Sequence, residues 1–135
     1  IQAQVLRDMR RLSRDTRTAL IWVSHDLGVV AQIAQRVAVM YAGRIVEHGP
    51  TKKILKSPSH PYTSGLIASM PSNSLPGERL TSIPGGLPQL SNLPVGCSFA
   101  PRCVYASLAC NVMPELIQAS LEHAVRCVSP LDGSS

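Results

Sequence analysis

The placement of proline sets the first limit on how this chain can fold. From Ile1 to His48 there is no proline, whereas Pro71, Pro76, Pro84, Pro88 and Pro94 crowd the stretch up to Gly96, with Gly77, Gly85 and Gly86 among them. Proline lacks an amide hydrogen and fixes φ, so such a stretch cannot run as a helix or a central strand. The 135 residues are therefore expected to fall into three parts. These are a periodic segment over 1–70, a proline- and glycine-rich linker over 71–96, and a unit over 97–135 that holds all four cysteines.

The first segment reads as α/β. Ile1, Val5, Met9 and Leu12 recur at helical spacing and predict an amphipathic helix from Ile1 to Arg17. Thr18 to Ser24 (TALIWVS) is a short apolar run with β-branched residues, the pattern of a strand buried on both faces of a parallel sheet. Asp26 to Ala34 returns to helical spacing. Val37–Tyr41 and Arg44–His48 predict two strands joined at Ala42-Gly43, with a bulge at Gly43 expected because alanine resists positive φ. Thr51 is placed to cap a short helix through Lys56, and Pro61 to open another that runs to about Met70. A last short helix is expected over Glu115–Glu122. A TALIWVS strand without neighbours would have an exposed edge, so residues 1–70 are expected to be ordered only when covered or paired.

The formal charge is +5. Part of the excess lies in Arg7, Arg10, Arg11, Arg14 and Arg17, but Asp8 and Asp15 interrupt that run and no aromatic residue is interleaved with it. A solvated helix face explains it better than a nucleic-acid platform, which stacks bases on aromatic rings. No apolar run approaches the roughly 20 residues needed to span a bilayer.

Two groups of residues can carry chemistry. His25 follows the expected TALIWVS strand and precedes a helix. In an open α/β sheet, ligands bind beyond the carboxyl ends of the strands. An imidazole there can donate to a phosphate oxygen or an attacking water. A lone histidine also serves as a structural or capping residue, and position alone does not separate the two. The second group is Cys97, Cys103, Cys110 and Cys127, separated by five, six and sixteen residues. Four thiolates suit a four-iron cluster or a structural zinc, although zinc sites usually include tighter C-x₂₋₄-C knuckles. Two disulfides, or four unligated thiols packed as small hydrophobes, are the other readings of the same residues.

A resemblance narrows these choices. The stretch IWVSHDLGVVAQIAQRVAVMYAGRIVEHGPTKKIL is similar to the switch-histidine region of ABC transporter ATPases. His60-Pro61-Tyr62-Thr63 is typical of the peptide-transporter branch, as is Ile1-Gln2-Ala3-Gln4-Val5-Leu6 as a helix beyond the D-loop. Ile83-Pro84-Gly85, Gly96-Cys97-Ser98-Phe99-Ala100-Pro101-Arg102-Cys103 and His123-Ala124-Val125-Arg126-Cys127 resemble the C-terminal extension of oligopeptide and dipeptide importers. Val104 departs from the proline common there, at a position that supplies no ligand.

The resemblance implies the C-terminal part of a RecA-like ATPase domain, followed by a small, loop-rich four-cysteine extension. His25 would be the switch histidine at the γ-phosphate of ATP, and Asp26 would hold that loop or start the helix that follows. Cys97, Cys103, Cys110 and Cys127 would hold a four-iron, four-sulfur cluster, with Zn²⁺ as the alternative and a structural role in either case. Arg102 would neutralise cluster charge, bind backbone or be a plain surface arginine, and His123 would be a donor near the site or a surface residue. ATP and Mg²⁺ would be the whole protein's cofactors. A second ATP-binding subunit and two membrane permease subunits would be its partners, at the cytoplasmic face of the inner membrane. The sequence holds no G-x-x-x-x-G-K-[ST] loop and no Leu-Ser-Gly-Gly-Gln signature. The chain is thus expected to be part of a longer protein and not to hydrolyse ATP by itself. The rival reading is a non-enzymatic iron–sulfur or zinc interaction module.

Overall fold

The computed structural model describes residues 2–71 and 82–132. Helix α1 covers Gln2–Thr16, in line with the apolar spacing, although Ile1 lies outside the described residues. Its end is closed by a bond from the Thr18 amide to the Ser13 carbonyl, with Arg17 in the left-handed region at φ 52°. Helix α2 covers Leu27–Ile33 and is capped by Asp26, whose carboxylate accepts from the Gly28 and Val29 amides. Four of the helix's orphan donors need such partners, and a cap of this kind contributes about 1 kcal/mol.

Between these helices the expected strand is absent. Residues 18–24 form neither helix nor strand, and Ile21 and Val23 are 94% and 93% exposed. A strand is made by its neighbour. No described strand lies beside this run, so its backbone has no ladder and its apolar side chains stay in solvent.

The sheet lies further along the chain and, among the described residues, all its pairings are antiparallel rather than parallel. Strand β1 is Arg36–Tyr41 and β2 is Arg44–Pro50. They pair from Arg36↔Pro50 to Tyr41↔Arg44, so only two residues form the turn. Ala42 and Gly43 both take positive φ, 47° and 79°. This is the signature of a primed two-residue hairpin turn, whose twist matches that of the strands. The expected bulge at Gly43 is corrected: the irregularity falls between Val39 and Met40. Packing of the Ala42 methyl against the core offsets a left-handed conformation that costs about 1–2 kcal/mol in a non-glycine residue.

Helix α3, Thr51–Lys56, follows with Pro50 at its cap position. Thr51 is thus the first helical residue and not the cap. Its amide bonds to the Gln35 carbonyl, while its buried hydroxyl has no hydrogen-bond partner. Helix α4, Pro61–Ala68, opens with proline as expected. Two further strands come from the cysteine-bearing unit: β3, Ile117–Ser120, and β4, His123–Val125. They replace the helix expected over 115–122. So short a segment gains little as a helix, whereas the open edge of β2 offers it a ladder. The sheet order is β1-β2-β4-β3.

The sheet therefore joins residues 36–50 to residues 117–125, across the proline-rich stretch. Residues 72–81 of that stretch lie outside the described residues. The core repeats the same union. Val39, Tyr41, Val46 and Ile54 bury together with Phe99 from the cysteine-bearing unit, and Ile83 packs against them. The Phe99 ring centroid is 5.2 Å from that of Tyr41 and 5.3 Å from that of Tyr62, and Tyr41 meets Tyr62 edge-on at 4.7 Å. Segment 36–70 is thus covered from within the chain. Among the described residues no helix is long and apolar enough to cross a membrane.

Candidate functional site

Cys97 and Cys103 share one loop, Cys110 and Cys127 come from two others, and backbone bonds fix each loop. The Ala100 amide bonds to the Cys97 carbonyl and the Cys103 amide to the Ala100 carbonyl, which closes a 3-10 turn at Ala100–Arg102. A second 3-10 turn, Leu108–Asn111, carries Cys110. The two are stitched together where the Cys97 amide donates to the Cys110 carbonyl at 2.8 Å. Cys127 follows β4, whose ladder to β2 is extended by the Arg126 amide bonding to the Val46 carbonyl.

Gly96 makes the stitch possible. A Cβ at this position would lie 2.0 Å from the Cys110 carbonyl oxygen and 2.5 Å from the Asn111 carbonyl carbon. Backbone atoms cannot swing aside as a side-chain end can. We expect Gly96→Ala to destabilise the chain by about 1–3 kcal/mol in urea denaturation. Gly86→Ala is the matched control, since nothing lies within 4 Å of a Cβ there, and it should change stability by less than about 0.5 kcal/mol. Equal midpoints for the two variants would show that the contact at Gly96 is not tight.

Two arginines, each preceding a cysteine, tie these loops to the rest of the fold. Arg102 donates to the carbonyls of Pro84 at 2.7 Å, Ile83 at 3.3 Å and Gly85 at 3.4 Å. Of the three roles expected for it, binding backbone is the one the structure displays. Arg126 donates to the Ile45 carbonyl at 3.0 Å and the Pro114 carbonyl at 2.9 Å.

All four cysteines line one partly open cavity, together with His60 and Phe99. None is in a disulfide. Burial pushes the Cys103 and Cys127 thiols above their usual range, and the neighbouring cysteines push the same way against the pull of nearby backbone amides. Both thiols therefore hold their protons near neutral pH until a cation replaces them. The donor set suits a soft metal in number and softness. Its geometry is looser: among the described residues no three His, Cys, Asp or Glu side chains are grouped closely enough to hold one ion. The thiols share a cavity without forming a ligand cage.

Behind this cavity lies a polar knot that sequence reasoning missed. Glu47, in β2, is 0% exposed. One carboxylate oxygen accepts from the Ser59 amide at 2.7 Å and lies 2.7 Å from His123 Nε2, and the other accepts from the His60 amide at 3.0 Å. His123 is itself 2% exposed, so it is not the surface residue weighed as one of its roles: it is a buried partner of Glu47. His60 caps α4, its Nδ1 accepting the Tyr62 amide at 3.0 Å. In the sequence Glu47 looks like the solvent side of an alternating strand. The only hint was the pair of histidines within the peptide-transporter-like motifs.

Burial lowers the pKa of His60 from 6.5 to about 4, against an opposing pull from Glu47. The folded ring is thus neutral while the unfolded one protonates below pH 6.5. His60 therefore contributes full stability above pH 6.5, and that contribution is lost as pH falls towards about 4. The loss is expected to reach about 3 kcal/mol. Urea midpoints at pH 7.5, 6 and 5, compared with those of His60→Asn, check it. Equal slopes with pH would remove His60 as the cause.

His25 stands apart from this cavity and does not line it. It is exposed, in the bend before α2. The bend is set by the Asp26 amide bonding to the Ser24 hydroxyl at 3.0 Å and by the Asp26 cap on α2. Asp26 thus holds the loop, while His25 is exposed beside it.

Residues 46–110 match the family described as the oligopeptide/dipeptide transporter, C-terminal region. Over those residues, just under half of its length, the chain is similar to that family. It is 50% identical over 135 residues to a peptide import ATP-binding protein of Brucella melitensis, covering 95% of this chain and 40% of that protein. It is 47% identical over 128 residues to a dipeptide transport ATP-binding protein of Bacillus subtilis, covering 94% and 38%. It is 41% identical over 132 residues to an oligopeptide transport ATP-binding protein of Salmonella typhimurium, covering 98% and 39%. The chain therefore spans about 40% of the length of the curated relatives it matches.

Proposed function

We propose that this chain is the C-terminal part of the ATP-binding subunit of a peptide importer. The observation that carries the reading is that relatives named for peptide import ATP-binding align with almost the whole chain, including both the His25 segment and the cysteine unit. In this reading residues 1–70 complete a RecA-like ATPase domain, and residues 97–135 form the extension. The exposed residues 18–24 pair there with strands of the remaining domain. His25, freed by the Asp26 cap, donates to the γ-phosphate or orients the attacking water. ATP and Mg²⁺ are the cofactors of the whole protein. Its partners are a second ATP-binding subunit and two permease subunits, at the cytoplasmic face of the inner membrane.

The test uses the full-length protein with its permease partners in liposomes. His25→Ala should lower ATP hydrolysis about 100-fold or more while leaving nucleotide binding in place. Undiminished turnover would overturn the role of His25. Absence of peptide-stimulated hydrolysis across di- and oligopeptides would overturn the importer reading.

The four cysteines are, in the same reading, the ligands of an iron–sulfur cluster. Four soft donors around one cavity support it, and their sulfurs must draw closer to complete a cage. Bound there, a cluster would cross-link loops that bury little apolar surface. Anaerobic purification with iron, sulfide and zinc analysis checks this against a Cys97→Ser, Cys103→Ser control. About four irons per chain, lost in the control, support the cluster. One zinc and no iron would make the site a structural zinc, and no metal at all would leave four packed thiols.

A further inference from the structure

We propose that the cleft between the β1–β2 hairpin and the Phe99 loop binds a carboxylate, carried by an acidic side chain of a partner protein. Arg44, Arg126 and Ser98 are the residues that would hold it. The inference uses no cysteine and no metal, and it does not depend on the importer reading.

The register of the sheet brings the two arginines together. Residues opposite each other in an antiparallel pair point to one face, and so do residues two apart along a strand. Tyr41 stands opposite Arg44, and Val46 follows Arg44 by two positions, so all three share a face. Beyond the pair Glu47↔Val125, the Arg126 amide bonds to the Val46 carbonyl and carries the ladder one residue further. Arg126 therefore stands beside Val46 and diagonal to Arg44, within reach of a long side chain. In agreement, one cleft is lined by Tyr41, Arg44, Val46, Ser98, Phe99 and Arg126. Glu47 is one residue out of phase and turns to the other face, where its carboxylate serves the Ser59 and His60 amides and His123.

The cleft is rich in donors without partners. Arg44 is exposed and makes no hydrogen bond or ion pair among the described residues. Arg126 gives Nε to the Ile45 carbonyl and Nη1 to the Pro114 carbonyl, which fixes its guanidinium and leaves Nη2 unspent. Ser98 is 9% exposed, yet its hydroxyl makes no hydrogen bond among the described residues. Among those residues no acidic side chain lines the cleft. Glu115, next to Pro114, is exposed and makes no ion pair there. Two guanidinium groups on one face repel each other, and an anion between them relieves that repulsion. The planar fork of a guanidinium matches the two oxygens of a carboxylate. Val46 and Phe99, both buried, give the cleft an apolar floor suited to a methylene stem. The cleft is small and partly open, so it takes the end of a side chain rather than a whole metabolite.

The test is NMR of the full chain with nitrogen-labelled arginine, titrated with the peptide acetyl-Leu-Glu-Leu-amide. Saturable shifts of the Arg44 and Arg126 side-chain signals are expected at millimolar peptide. The same peptide with glutamine in place of glutamate should bind about tenfold more weakly or worse, because the charge-assisted bonds are lost. Arg44→Gln should weaken the glutamate peptide by about tenfold or more with the amide spectrum otherwise intact, since Arg44 has no partner to lose. Ser98→Ala removes a hydroxyl that holds nothing else and should weaken binding several-fold. No saturable shift, equal affinity for the two peptides, or undiminished binding by Arg44→Gln would each overturn the proposal. Acetate binding as tightly as the glutamate peptide would show a site for free anions and overturn the docking surface.

Discussion

Glu47→Ala is expected to destabilise the chain by about 3–5 kcal/mol, a large share of the 5–15 kcal/mol that holds a typical domain together. The carboxylate serves three donors at once: the Ser59 and His60 amides and the His123 ring. Removing it leaves all three buried without a partner, and each such loss costs about 1–3 kcal/mol. The knot also joins distant parts of the chain, since β2 carries Glu47, the turn before α4 carries Ser59 and His60, and β4 carries His123. The loss should therefore appear as faster amide exchange across His123–Val125 and Ser59–Tyr62, as well as in the urea midpoint. Glu47→Gln keeps the shape but offers one acceptor oxygen in place of two, and should fall between wild type and alanine. A shift below about 1 kcal/mol for Glu47→Ala would mean that water reaches the three donors and that the knot is not closed.

Phe99→Ala should cost a similar amount, about 3–5 kcal/mol, for a different reason. The ring is 3% exposed and meets Tyr41, Tyr62 and His60. Its loss opens a cavity between the β1–β2 hairpin, α4 and the turn that carries Cys97 and Cys103. Because the same ring lines the cysteine cavity, thiol labelling should report the change as well. Cys97 and Cys103 are expected to react with a water-soluble thiol reagent several-fold faster than in wild type. Exposed Tyr105→Ala provides a comparison that should leave stability within about 0.5 kcal/mol. An unchanged urea midpoint for Phe99→Ala would show that the cysteine unit does not share the core of the hairpin.

Much of the local structure was legible before any coordinates. The spacing of Val5, Met9 and Leu12 marked α1, Asp26 and Pro61 marked helix starts, and Ala42-Gly43 marked a hairpin. Each rests on interactions within a few residues, which periodicity and capping chemistry describe well. Three of the expectations that failed turned on neighbours that the sequence does not display. Residues 18–24 have the composition of a buried strand, but among the described residues no strand stands beside them to make them one. Residues 115–122 were expected to form a helix, yet the open edge of β2 drew Ile117–Val125 into a hairpin. At Ala42 the local penalty on positive φ was real, but twist and core packing outweighed it.

The candidate site divides in the same way. The four cysteines were visible as a set, because chemistry-bearing residue types concentrated in 39 residues stand out in any order. That His60 shares their cavity was not visible, nor was the bond that Glu47 makes to His123 across 76 positions. Sequence by itself determined the four helices before the proline-rich stretch, the place of the hairpin turn, the thiol donor set and the family resemblance, all carried by local pattern or by matching residues. Only the tertiary structure decided that Glu47 is buried, that His60 caps α4 through Nδ1, and that the cysteine unit shares one sheet and one core with the hairpin. The physical reason is that burial and hydrogen-bond partnership belong to pairs of residues brought together by folding, and a pair far apart in the chain leaves no periodic trace in either partner.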